Sequence, residues 1–211
     1  MSVKVLVAFY SRYGNTRALA EAMAEGAEEV GGVEVRLRRA ADLAPENLIA
    51  ADARWLAARD EMRELYPEPT NDDLEWCDVL FLGTPTRYGN PSAEIKLFID
   101  KTGPLWFKGA LVDKVCSVFV STSTPHGGNE STLLAMLNPL MHLGMIVVAP
   151  GYADPIMFGA GTPYGASSVS GPNADELPTE QDMAVARFAG KRTAERALML
   201  KLGKEALAKQ R

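Results

Sequence analysis

The sequence predicts an α/β domain, a parallel sheet with helices packed on both faces. Three observations carry this. Near-continuous apolar runs of strand length recur at Val3-Lys4-Val5-Leu6-Val7-Ala8-Phe9-Tyr10, Asp78-Val79-Leu80-Phe81-Leu82-Gly83 and Val115-Cys116-Ser117-Val118-Phe119-Val120, as expected of central strands covered on both sides. Each run leads into a polar, glycine-bearing loop and then into helical periodicity. The strand-helix alternation repeats along the whole chain, and right-handed crossovers turn such an alternation into one parallel sheet.

The 211 residues fit one domain over 1–211, since a domain takes about 100 to 200 residues, and a chain of this size buries roughly 70% of its unfolded surface. A net charge of −5 without any basic cluster argues against a nucleic-acid partner. Cys77 and Cys116 lie beside or within apolar strands and share no metal-ligand spacing. They are expected to be small buried thiols in a reducing cytoplasm, with no disulfide and no metal site. No stretch reaches the roughly 18 to 20 apolar residues of a spanning helix, and the first strand begins too early for a signal peptide.

Taken in order, the first strand ends at Ser11-Arg12-Tyr13-Gly14-Asn15-Thr16. A helix follows over 17–30, with Leu19, Ala20, Met23, Ala24 and Ala27 on its inner face and Gly31-Gly32 as its stop. Val33-Glu34-Val35-Arg36-Leu37-Arg38 alternates apolar and charged residues, the pattern of a strand with one exposed face near a sheet edge. Residues 40–73 are long for a connection; Leu48, Ala51, Trp55, Leu56 and Met62 suggest a surface helix of marginal regularity that Pro67 and Pro69 stop. The third strand, at 78–83, runs into Thr84-Pro85-Thr86-Arg87-Tyr88-Gly89-Asn90. Asn90 and Pro91 are expected to cap and begin a helix ending at Gly103-Pro104, with Leu105-Trp106-Phe107 in a loop. The fourth strand leads into Ser121-Thr122-Ser123-Thr124-Pro125-His126-Gly127-Gly128, and a helix from Asn129 is expected to kink or end at Pro139. Strand five covers 145–149. Residues 151–178 read as a loop with a short strand near 166–170, and Thr179-Glu180-Gln181-Asp182 resembles a capping box opening a last helix to about Leu202.

The loop at 11–16 joins a buried strand to a helix N-terminus, where unpartnered N–H groups and the helix dipole favour an anion. Ser11, Asn15 and Thr16 add donors, and Gly14 permits close approach of the backbone. The loop has neither the Lys of a P-loop nor a G-x-G-x-x-G pattern, so a phosphate here would be held by neutral donors, each contributing roughly 1.5 to 3 kcal/mol. An ordinary turn capped by Asn15 or Thr16 is the competing reading. In a flavodoxin-like three-layer sandwich with a five-stranded parallel sheet, order 2-1-3-4-5, the ligand crevice lies at the strand one/strand three switch point. That order brings together the loops after strands one, three and four, the three polar loops found here, and favours the ligand site.

With these residues assembled, nearly the whole chain resembles the flavodoxin-like WrbA family of NAD(P)H:quinone oxidoreductases. Tyr10-Ser11-Arg12-Tyr13-Gly14-Asn15-Thr16 resembles the family's phosphate loop, Pro85-Thr86-Arg87-Tyr88-Gly89-Asn90 its flavin-ring loop and Thr102-Gly103-Pro104-Leu105-Trp106 its substrate-side segment. Gly161-Thr162-Pro163-Tyr164-Gly165-Ala166 adds a stretch near the C-terminus. The resemblance implies FMN as cofactor, bound by residues 11–16 at the phosphate and by Pro85, Thr86, Arg87, Tyr88 and Gly89 at the ring. It implies Ser121, Thr122, Ser123, Thr124, Pro125, His126 and Gly127 as the third binding loop, Tyr13 on the nicotinamide nucleotide, Trp106 facing the quinone, and a homotetramer. His142 matches a flavin-contacting position, yet it falls at the far end of its helix, so the contact would be with a neighbouring subunit; a histidine placed to favour a helix dipole is the other reading.

The chain departs from the family where members often carry His and Ile in place of Asn15 and Thr16, and where its third loop is longer than the usual Ser-Thr-Gly-Thr-Gly-Gly-Gly run. Pro125 removes one backbone donor there. The implied activity is two-electron reduction of quinones by NAD(P)H with ping-pong kinetics. The flavin carries the chemistry, no side chain is a certain catalytic group, and Tyr88 and Trp106 would form a stacking wall. Contact with membrane quinones would be peripheral. A flavodoxin-type electron carrier and a flavin-binding regulatory protein are the alternatives.

Overall fold

The central strand, β1 (Val3–Phe9), divides the interior into two layers. Alternate side chains of a strand point to opposite faces. Val3, Val5, Val7 and Phe9 join Leu19 and Met23 of α1 (Asn15–Glu28) and Val185 and Ala189 of α8 (Glu180–Ala208) in one core. Leu6 and Ala8, with Tyr10 just beyond, join Ile95 and Phe98 of α5 (Ala93–Asp100) and Leu133 and Met136 of α7 (Asn129–His142) in the other. One apolar strand thus supplies both interfaces of a helix-sheet-helix sandwich. The computed structural model describes residues 2–210; Met1 and Arg211, the ends of the expected 1–211 domain, lie outside the described residues.

The parallel strands follow the expected order. β2 (Val33–Arg39), β1, β3 (Val79–Arg87), β5 (Val115–Thr122) and β6 (Ile146–Val147) are neighbours in that sequence. Among the described residues the sheet has seven strands, however, where five were expected. β4 (Asn90–Pro91) folds back antiparallel on β3, pairing Pro91 with Thr86. β7 (Ala166–Val169) pairs in parallel with the upper half of β5, Phe119 opposite Ala166, while β6 pairs only with Val115 and Cys116. The fifth position in the sheet is therefore shared by two short strands. Pro150, which has no N–H to donate, and Gly151, at φ 57°, end β6 before it can continue.

Residues 40–73 differ from the single irregular helix expected. They form α2 (Glu46–Ala50) and α3 (Ala53–Leu65), with α4 (Asn71–Trp76) straddling the segment's end. Asp52 caps α3 by accepting from the Trp55 N–H at 3.0 Å, and Thr70 and Asp73 form a capping box on α4. Trp55 is only 6% exposed, not a surface residue. Leu105-Trp106-Phe107 lie in α6 (Gly103–Lys108), not a loop, because Pro104 sits in its first turn and Gly109 closes it in the left-handed conformation. Ser92, not Asn90, holds the N-cap position of α5. Pro139 lies inside α7, which continues to His142; so near the end of a helix a proline leaves a single carbonyl without its donor. Thr179 and Asp182 make the expected box, and α8 runs past Leu202 to Ala208.

Helices α1 and α8 pack through glycines. A Cβ at Gly26 would lie 1.9 Å from the Arg187 carbonyl oxygen, and one at Gly190 would lie 2.1 Å from that of Met23. This close contact fixes α1, and with it the loop that precedes α1. Cys77 and Cys116 are buried and unbridged. No helix among the described residues is long and apolar enough to cross a membrane.

Candidate active site

The three polar loops converge on one cavity of about 180 Å³. Ser11, Arg12, Tyr13, Asn15 and Thr16 line it from the end of β1, Pro85, Thr86 and Arg87 from β3, and Ser121, Thr122 and Ser123 from β5. Ser170 and Ala174, which follow β7, complete the wall. Sequence reasoning did not single these two out. The signal was the short strand near 166–170, whose parallel pairing with β5 brings its end to the same sheet edge.

The first loop is built to expose backbone donors. Gly14 is the N-cap of α1 at φ 107°, a left-handed geometry that suits glycine. Its N–H donates to Ser11 Oγ at 3.1 Å. The N–H groups of Arg12, Tyr13, Asn15 and Thr16 have no acceptor among the described residues. Asp52, Thr70 and Thr179 cap α3, α4 and α8 with side-chain oxygens; α1 has no such cap, so the turn capped by Asn15 or Thr16 is not formed. Asn15 instead donates through Nδ2 to the Ala174 carbonyl at 3.0 Å, tying the segment after β7 to the loop.

A buried network underlies this loop. Arg39 pairs with Asp42 at 2.7 Å, both almost fully enclosed. The other Asp42 oxygen accepts from Tyr10 Oη and from Trp55 Nε1, each at 2.8 Å. Burial, more than the nearby Glu94 and Asp42 carboxylates, pushes the Tyr10 hydroxyl well above its ordinary pKa. The Arg12 guanidinium lies 3.7 Å over the Trp55 ring and 3.5 Å from Asp52. Tyr13 Oη donates to Asp52 at 2.6 Å, and that bond is the leading cause of the lowered Asp52 pKa. Partial burial, then the same bond, raises the Tyr13 hydroxyl. Arg54 lies 4.3 Å over the Tyr13 ring and donates to the Asn173 carbonyl at 3.0 Å. None of Arg39, Asp42, Asp52 and Arg54 was singled out in the sequence.

The second and third loops pack on each other. Thr86 Oγ1 meets Thr132 Oγ1 of α7 at 2.7 Å. A Cβ on Gly128, at φ 98°, would lie 2.8 Å from the Gly89 Cα. Thr84 accepts the Ser92 N–H at 2.9 Å, anchoring the start of α5. Tyr88, at φ 53°, projects wholly into solvent at 101% exposure. Thr124, Pro125 and His126 are also exposed, and Thr122 Oγ1 donates to the Thr124 carbonyl at 2.9 Å.

Residues 1–155 match the family described as NADPH-dependent FMN reductase. The chain belongs to that family. Two relatives named NAD(P)H dehydrogenase (quinone) agree. One, from Geotalea uraniireducens, is 43% identical over 94% of this chain and 99% of its own length. The other, from Aromatoleum aromaticum, is 39% identical over 97% of this chain and 100% of its own. Among solved structures, the flavodoxin, WrbA-like protein from Agrobacterium tumefaciens superposes with a TM-score of 0.66 at 25% identity, covering 94% of this chain and 99% of that one.

Membership of the FMN reductase family agrees with what the cavity can hold. The residues of the four unclaimed amides, together with Ser11 and its enclosed hydroxyl, line one side of the cavity, and the Thr16 hydroxyl is enclosed there too. Clustered N–H groups of this kind bind phosphate, so the donor set fits the phosphate of FMN. The cavity is smaller than the roughly 300 to 1,000 Å³ of pockets that enclose a drug-sized ligand, so it encloses only part of a cofactor of that size. Trp106 and His142 do not line it. They share a separate groove of about 650 Å³ with Asn90, Ile99, Thr102 and Pro139, between α5, α6 and α7.

Proposed function

We propose that this chain is an FMN-dependent NAD(P)H:quinone oxidoreductase whose phosphate end is the three-loop cavity. The observation that carries the proposal is the set of unclaimed amides at the start of α1, on the ligand edge of a sheet belonging to an FMN reductase family. FMN, when bound, supplies the redox chemistry, taking two electrons from NAD(P)H and giving them to a quinone. The chain's own residues bind and orient. Arg12, Tyr13, Asn15 and Thr16 offer amides and Thr16 a hydroxyl to the phosphate. Pro85, Thr86, Arg87, Tyr88 and Gly89 receive the ring, together with the third loop from Ser121 to Gly127. Arg87 gives that end a cation, and Tyr88 gives a flat face on which an aromatic substrate can stack. Protons for the quinone come from solvent or from an imidazole nitrogen of His126 or His142.

We extend the proposal to assembly. Tyr88 and His126 are open to solvent in a single chain, and Trp106 and His142 lie in a groove of their own. In a homotetramer a neighbouring subunit would bring its Trp106 and His142 to the exposed side of the cavity. The acidic balance and the two unbridged thiols suit a cytoplasmic enzyme. The deciding experiment follows NADH oxidation with benzoquinone as acceptor while FMN is added to flavin-free protein. Turnover that requires FMN and quinone together is expected, with parallel double-reciprocal lines. A protein that takes up no FMN, or that binds it without turnover, overturns the proposal.

A further inference from the structure

We infer that Arg39 is a positioning residue for the phosphate end of this site: it turns the peptide between Ser11 and Arg12 so that the loop presents an N–H, not a carbonyl, to an anion. The inference rests on the FMN reading above. Arg39 is the last residue of β2 and lies in register with Phe9 at the end of β1. It is 2% exposed and lines no part of the three-loop cavity. Its Nε and Nη2 both donate to the Ser11 carbonyl, at 3.3 and 3.0 Å.

Ser11 and Arg12 do line the cavity, so a carbonyl drawn onto Arg39 is drawn away from it. A trans peptide holds its C=O and N–H in opposite directions, and the described residues contain no cis bond. Fixing the Ser11 carbonyl therefore also fixes the Arg12 N–H, one of the amides without an acceptor. The difference matters because an N–H dipole attracts a phosphate and a carbonyl in its place repels it.

Arg39 does this by direction, not by adding charge to the site. Its charge is matched where it sits by Asp42, which accepts from Arg39 Nη2 at 2.7 Å. Asp42 is held in turn by Tyr10 Oη and Trp55 Nε1. Trp55 carries the Arg12 guanidinium on its ring, so the peptide is gripped on one side through its carbonyl and on the other through the Arg12 side chain. The planar two-nitrogen fork suits this task better than the single ammonium of lysine.

The test compares affinities for FMN and for riboflavin, which has the same ring and no phosphate, in flavin-free wild type, Arg39→Gln and Arg39→Lys. Arg39→Gln is expected to weaken FMN by about 10-fold or more while riboflavin changes by less than about twofold. Arg39→Lys, which keeps the pair with Asp42, recovers part of the loss. Breaking a buried pair is destabilising, so if Arg39→Gln does not fold, Arg39→Lys decides alone, with a selective FMN loss of about threefold or more expected. Equal weakening of both flavins would show that Arg39 merely holds the fold and would overturn the inference, as would unchanged affinity for both. Wild-type protein that does not prefer FMN to riboflavin would instead overturn the phosphate reading itself, so the two failures are distinguishable.

Discussion

Replacing Thr16 by valine isolates one proposed donor of the phosphate end with little disturbance of the fold. Thr16 is the second residue of α1, 2% exposed, and lines the three-loop cavity. Its hydroxyl has no hydrogen-bond partner among the described residues, so valine removes no bond from the protein. Both side chains are branched at Cβ and have similar helix propensity, so the flavin-free protein should melt within about 0.5 kcal/mol of wild type. A hydrogen bond to a charged acceptor contributes about 1.5 to 3 kcal/mol. The dissociation constant for FMN should therefore rise by roughly 10- to 150-fold. Quenching of flavin fluorescence on titration with flavin-free protein measures it, and riboflavin, which lacks the phosphate, should bind the two proteins alike. Unchanged FMN affinity, or equal weakening of both flavins, would refute the assignment of this hydroxyl to the phosphate.

Other perturbations test the scaffold and its loops. Gly128→Ala would force a Cβ to 2.8 Å from the Gly89 Cα at a backbone φ of 98°; separating the two loops should weaken FMN by about 10-fold or more, and affinity equal to wild type would count against their packing as a determinant of the site. Gly190→Ala places a Cβ 2.1 Å from the Met23 carbonyl oxygen and should cost about 1 to 3 kcal/mol, lowering the melting temperature by roughly 2 to 12 °C. Gly203→Ala on the same helix meets nothing within 4 Å and should be neutral or stabilising, so equal melting of the two variants would argue against close packing of α1 on α8. Burial pushes the Cys77 and Cys116 thiols from 9.0 up to about 12. A group whose folded pKa is raised stabilises fully below its unfolded pKa and loses that contribution as pH rises towards the folded one. The thiols' contribution should therefore be complete below pH 9.0 and be lost between there and about 12, so that denaturant midpoints fall across that window, and a midpoint that climbs there would contradict the burial of these thiols. At about pH 8 both should resist a thiol reagent until denaturant is added, because the thiolate is the reactive form.

The central architecture was legible in the sequence because its signals are local. The run from Val3 to Phe9 is apolar on both faces, and only a strand covered by helices on both sides satisfies that. The polar loops after the first, third and fourth strands marked the candidate ligand edge through their glycines and hydroxyls, and the strand order then had to bring them together. What lies beneath the first loop was not legible. In Val33 to Arg38 the alternation of charge reads as a solvent-facing edge, yet the next residue, Arg39, is enclosed, because its register with Phe9 carries it to the end of the sheet where Asp42, held by Trp55, meets it. The burial of a charge depends on a partner brought from another element, which no local periodicity reports. The same holds for Trp55, and for Ser170 and Ala174, which reach the cavity only because β7 pairs with the far half of β5. Trp106 and His142 were marked by the resemblance to the WrbA family, but their joint place in a groove apart from the cavity follows from how α6 and the end of α7 pack. Local chemistry marked the candidate anion-binding loop; tertiary pairing decided which buried groups hold it in shape, because those groups lie far along the chain and meet only across the sheet.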